Sequence, residues 1–153
     1  MAVRADKSTD RTELDSHADT IVGGANCVLL KAGNETATVH SFSHESKPFK
    51  HVPIGTIATA WVDPKSGETF ILEFPESLYF GDRMSHTLLC PNQLRAHGLI
   101  VNDVPRQFDE RSTHSIQVLA DYGGTEIEIP LEMNSVISYF SSHCPSDDEL
   151  RNC

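Results

Sequence analysis

The chain has no apolar run long enough to span a membrane, and its first twelve residues lack the hydrophobic stretch of a secretory signal. Basic charge is scarce: 12 Lys and Arg face 22 Asp and Glu, a formal net charge of -10, with no basic cluster. Affinity for nucleic acid rests largely on cations that neutralise phosphates, so this balance argues against such a partner. Only four cysteines are present, Cys27, Cys90, Cys144 and Cys153, and none forms a Cys-x-x-Cys pair. That spacing gives no zinc-finger pattern and no dense disulfide framework; free thiols in a reducing compartment are expected. A glycine-rich phosphate loop is missing too, since Gly23-Gly24 is a lone pair that reads as a turn or bulge. Ser16 sits in no Gly-x-Ser-x-Gly elbow, which leaves Ser-His-Asp hydrolysis without support. The expectation is a cytoplasmic protein with no nucleic-acid and no membrane partner.

What is present is β-forming sequence. The 153 residues suit one domain with a genuine core. Ala37-Thr38-Val39 and the stretches 56–62 and 69–74 are rich in β-branched and aromatic side chains. The last two flank Asp63-Pro64-Lys65-Ser66-Gly67-Glu68, whose Pro and Gly predict a hairpin turn. Further strands are predicted at 28–31, 116–120, 126–129 and 136–140, with Gly123-Gly124 closing another hairpin. One short helix is predicted between Pro91 and Gly98, with Pro at its start and Gly at its end. The polar ends, 1–12 and 141–153, are expected to be disordered, leaving 13–140 as the domain. The fold class is mainly β, in a small barrel-like or sandwich arrangement.

Chemistry enters at Glu13-Leu14-Asp15-Ser16-His17-Ala18-Asp19-Thr20, followed by Ile21-Val22-Gly23-Gly24. An apolar lead-in delivers an Asp-Ser pair into a short loop. About seventy residues later stand Ser77-Leu78-Tyr79-Phe80 and then His86-Thr87-Leu88-Leu89-Cys90-Pro91-Asn92-Gln93-Leu94. In this order and spacing, residues 13 to about 104 resemble the retropepsin-like aspartic protease domain of copia-type LTR-retrotransposon Gag-Pol polyproteins. The wording Leu-Asp-Ser-His-Ala-Asp-Thr and Leu-Leu-Cys-Pro-Asn-Gln-Leu is similar to that of retroelement polyproteins of diatoms and other microbial eukaryotes. Val136-Ile137-Ser138-Tyr139-Phe140 looks like the segment that follows the domain, before the integrase region.

The resemblance implies a small closed β-barrel with one short helix, active as a symmetric homodimer. An aspartic protease needs two carboxylates that share one proton around a water, and this chain offers one Asp-Ser motif. Each subunit would then contribute its Asp15 at a two-fold axis. Asp15 is the expected general acid or base, and Ser16 supports the loop across that axis. His17, Ala18 and Asp19 are expected to border the polypeptide substrate, with Ala18 packing below. Leu88 and Leu89 form the structural pair before the helix. The segment from about His40 to Ile57 would supply a flap, with Gly55 as its hinge. The activity implied is endopeptidase hydrolysis in polyprotein processing, with no cofactor.

His17 departs from the family, which has glycine after the Asp-Ser pair. Glycine lets backbone and solvent approach the carboxylate closely. An imidazole there either fills the water's place, pairs with Asp15, or turns into solvent or the dimer interface. A second expectation follows from the alternation of Asp15, His17 and Asp19, which on an extended segment project to one side. Two copies would hold a divalent metal such as zinc, with Cys27 contributing if its strand folds back. That alternative is a catalytically inactive dimerisation or metal-binding module. Among the other histidines, His86 is the one whose position suggests proximity to Asp15, while His97 ends the predicted helix.

Overall fold

The computed structural model describes residues 11–40, 47–120 and 124–153. The chain is mainly β. Its strands are β1 (Arg11–Leu14), β2 (Val22–Gly23), β3 (Val28–Val39), β4 (Phe49–Val62), β5 (Thr69–Tyr79), β6 (Thr87–Leu89), β7 (Ile100–Asn102), β8 (Ser115–Leu119), β9 (Thr125–Pro130), β10 (Glu132–Asn134) and β11 (Ile137–Ser141). Among the described residues two short helices accompany them, α1 (Pro91–Ala96) and α2 (Asp147–Asn152), with one 3-10 turn at Gly81–Arg83. No described helix is long and apolar enough to cross a membrane.

Local chemistry explains the best-formed pieces. Strands β4 and β5 pair from Val62↔Thr69 back to Ile54↔Leu78, around a turn in which Gly67 takes φ 75. That is the hairpin expected from Pro64 and Gly67. Helix α1 starts on Pro91, which supplies a preset φ and no orphan N–H, and ends before Gly98 at φ 90. Strands β8 and β9 form the second expected hairpin, closed by Ala120 N donating to Gly124 O at 2.7 Å, whereas Gly123 lies outside the described residues.

The strands form two sheets. Eight lie in the order β10-β11-β1-β6-β2-β5-β4-β3, and three in the order β7-β8-β9. Among the described residues the larger sheet stays open, with β10 and β3 at its edges, so the closed barrel is not what these strands make. Instead the sheet curls, and one bridge ties β4 to the segment after β11. Ala60 N donates to His143 O and His143 N to Ala60 O, both at 2.9 Å.

Both sheets and α1 contribute to one core. Leu14, Ile57, Trp61, Leu89, Leu94, Ile116, Ile129 and Phe140 are all buried in it. Burying each such side chain contributes roughly 1.5–3 kcal/mol. A polar seam crosses this core as well. The Asn26 amide nitrogen donates to Arg11 O at 2.9 Å and to Thr12 Oγ1 and Ser142 Oγ at 3.0 Å, its two hydrogens serving three acceptors. Thr87 Oγ1 donates to Asn26 Oδ1 at 2.6 Å, and Thr59 Oγ1 to Asn26 O at 2.8 Å. One side chain thus ties β1, β6 and the C-terminal segment together.

That seam also corrects the reading of both ends. Residues 11 and 12 belong to β1, where Thr12 is fully buried, while 1–10 lie outside the described residues. At the other end Ser142 is buried in the seam, and 147–152 form α2 instead of a disordered tail. The reason is local: Ser146 accepts from Glu149 N at 3.1 Å while Glu149 Oε1 accepts from Ser146 N at 3.0 Å, a reciprocal cap. His143 adds a 2.9 Å contact to the Glu149 carboxylate.

Candidate functional site

Asp15 leaves the end of β1 under firm main-chain control. Strand β1 runs parallel to β6, pairing Glu13 with Leu88 and Leu14 with Leu89, and Asp15 N continues the ladder to Leu89 O at 2.9 Å. The two motifs that lie far apart in sequence are therefore side by side in space. Leu14 and Leu89 point into the core and hold this junction rigid. Beyond it the chain turns at once: Ala18 N donates to Asp15 O at 3.2 Å, and His17 N donates to Asp15 Oδ1 at 2.9 Å. Asp15 is half-buried, Ser16, His17 and Asp19 are exposed, and Ala18 packs on the core.

The turn corrects one premise. Asp15, His17 and Asp19 do not alternate along an extended strand, because β1 ends at Leu14 and a hydrogen-bonded turn follows from Asp15 to Ala18. Among the described residues, no three His, Cys, Asp or Glu side chains of this chain gather as metal ligands. Cys27 lies in the core, its thiol 2.9 Å from Thr87 Oγ1, and burial pushes its pKa up to about 11. A thiol so reluctant to ionise is a poor ligand or nucleophile. All four cysteines are free.

The structure brings His86 to β1, but its partner is Glu13. His86 Nε2 lies 2.9 Å from Glu13 Oε1, and Arg11 reaches the other oxygen at 3.2 Å. Sequence reasoning singled out His86 and passed over Glu13, which is buried between the Arg11 guanidinium and the His86 ring. Gln93 was also missed as a participant, although it was quoted within its motif. Its Oε1 accepts from Ile21 N at 2.8 Å and its Nε2 donates to Glu76 O at 3.2 Å, so α1 braces both β2 and β5.

A groove of about 500 Å³ opens beside the turn. Asp19 and Thr20 form one side, the end of β3 from Ala37 with His40 the other, and Ile54, Glu76 and Leu78 lie between. The hairpin of β3 and β4 thus overhangs the loop after Asp15, in the region expected to form a flap. Its tip, 41–46 with Ser43 and His44, lies outside the described residues. The guanidinium of Arg83 sits 5.5 Å over the Phe49 ring and 5.2 Å over Phe80, pinning the start of β4 to the turn after β5.

Gly55 is not built as a hinge. It pairs with Ala32 on β3 and with Ser77 on β5, and a Cβ there would meet Lys31 O at 2.1 Å. The glycine lets two strands approach closely across a register shift.

Chemically, the loop offers one half-buried carboxylate, Asp15, held by the His17 N–H, and four residues on it carries the exposed Asp19 that lines the groove. No family model, curated protein or solved structure matches the chain.

Proposed function

We propose that the chain is an aspartic endopeptidase that works as a homodimer, one Asp15 from each subunit acting on a shared water. The observation that carries the reading is the parallel junction of Leu14-Asp15 with Leu88-Leu89, which sets one carboxylate at a rigid strand end beside a peptide-sized groove. Two carboxylates about 3 Å apart cannot both ionise, so one keeps a proton. The ionised Asp15 takes a proton from water as its oxygen attacks the scissile carbonyl. The neutral Asp15 of the partner subunit gives its proton to the carbonyl oxygen. Collapse of the tetrahedral adduct then breaks the C–N bond: the first Asp15 gives the proton it took from water to the leaving nitrogen, and an adduct hydroxyl returns a proton to the partner's Asp15.

The exposed His17 suits this reading, since its backbone N–H orients Asp15 while its φ lies outside the left-handed region that would require glycine. The substrate proposed is an extended polypeptide segment of a retroelement polyprotein. Asp15→Asn should abolish cleavage of a peptide library and leave thermal unfolding unchanged. Pepstatin should block the wild type and a metal chelator should not. Cleavage that survives Asp15→Asn contradicts the proposal, and cleavage lost to chelator but not to pepstatin moves the chemistry to a bound metal.

A further inference from the structure

The groove beside Asp15 has an uneven lining. Val39, Ile54 and Leu78 give it apolar walls, while Asp19 and Glu76 bring two exposed carboxylates; no described Lys or Arg lines it. Glu76 takes φ 55, a conformation that side-chain-bearing residues seldom adopt. The pairing of β4 with β5 steps from Ile57↔Phe74 to Gly55↔Ser77, so Pro75 and Glu76 together oppose the single residue Thr56. Such a bulge bends the strand and re-aims its side chains. Gln93 Nε2 on Glu76 O and Ser77 Oγ on Phe74 O, at 3.2 and 3.1 Å, hold it.

We infer that this groove selects an extended polypeptide segment carrying a lysine or arginine, whose cationic end lies between Asp19 and Glu76. The inference rests on the reading of the groove as a substrate site and names the substrate class. A neighbouring apolar side chain on the same face of the segment rests on Ile54 and Leu78. Charge complementarity argues for this occupant, because a chain of net charge -10 repels acidic segments and steers cationic ones. The wall from Ala37 is also the end of the edge strand β3, whose outer main-chain groups suit strand addition. Glu76 is the specificity-determining residue, with Asp19 beside it.

The test is binding to the Asp15→Asn variant of full chain, read by fluorescence polarisation. Three peptides are compared, identical except for lysine, norleucine or glutamate at one position. The lysine peptide should bind roughly tenfold tighter than the glutamate peptide at low salt, the scale of two exposed charge pairs. Asp19→Asn with Glu76→Gln should erase that preference while the norleucine peptide keeps its affinity. Equal binding of all three, a preference that survives the double substitution, or no binding at all overturns the inference. Incubating wild type with the same peptides separates the two proposals. Lysine-selective binding without cleavage upholds the groove assignment and removes the protease reading. Cleavage indifferent to charge upholds the protease reading and removes this one.

Discussion

His114 is a histidine whose protonation the fold opposes. It is buried, holds φ 45, and its Nε2 lies 2.9 Å from Ser138 Oγ. Burial pushes its pKa below the ordinary 6.5, Arg106 pushes it further down, and Asp103 opposes them. The folded state therefore disfavours the proton that the unfolded chain accepts. Stability is complete above pH 6.5 and falls as the pH drops from there toward the lowered folded value. Glu149, held below the ordinary 4.5 chiefly by the Ser146 backbone, then by His143, weakens the fold only in a more acid window. Urea midpoints measured between about pH 7.5 and 5.5 should fall for the wild type and fall less for His114→Gln, since only a titrating group can supply that slope. Parallel decline in both proteins would assign it elsewhere. The same comparison matters for function, because acid conditions that suit a shared proton also weaken the β7 to β8 region.

Among elements, the β3 and β4 hairpin decides whether the groove can open. A hinge at Gly55 would let the overhang swing, but the glycine is wedged against the Lys31 carbonyl between two neighbouring strands. Gly55→Ala should therefore cost about 2 kcal/mol or more in urea unfolding, the range of overpacking against an element that cannot retreat. A loss under about 0.5 kcal/mol, typical of surface substitutions, would mean that β3 shifts freely and that Gly55 is a hinge after all. Elements with their own signals were readable in the sequence: the Asp63 to Glu68 turn, α1 between Pro91 and Gly98, and the β-branched runs of β4 and β5. The C-terminal helix was not, because Asp147-Asp148-Glu149 looks like a solvated charge run until Ser146 is seen to cap it. Strands β7 and β10 have three residues each, too few for any periodicity to appear. The seam of Thr12, Asn26, Thr59, Thr87 and Ser142 was hidden for another reason. Polar residues enter a core only when long-range partners satisfy them, and those partners are up to 130 residues away. The loop position of Asp15 at a strand end was legible from its motif; the position of Glu76 in the groove wall was not, since it depends on a bulge.

The whole molecule sets the condition under which one Asp15 can become two. Each copy carries a formal charge of -10, so two copies repel at long range before any surface touches. That repulsion is screened by salt, because the Debye length shrinks from roughly 14 Å at about 50 mM to about 4 Å at about 500 mM. If the chain is a homodimer with Asp15 at its axis, added salt should shift sedimentation toward the dimer. Cleavage per protomer at a fixed low concentration should rise with it. Specific activity should also increase with protein concentration at constant salt, since a monomer holds half of the catalytic pair. A dimer that dissociates as salt increases would mean that cross-subunit ion pairs outweigh the net repulsion, leaving the interface assignment to be redrawn around them. Specific activity independent of concentration, down to concentrations where only monomer sediments, would remove the shared-water mechanism. The fold would then need a second carboxylate from within the same chain, and among the described residues the Asp15 carboxylate receives only the His17 N–H.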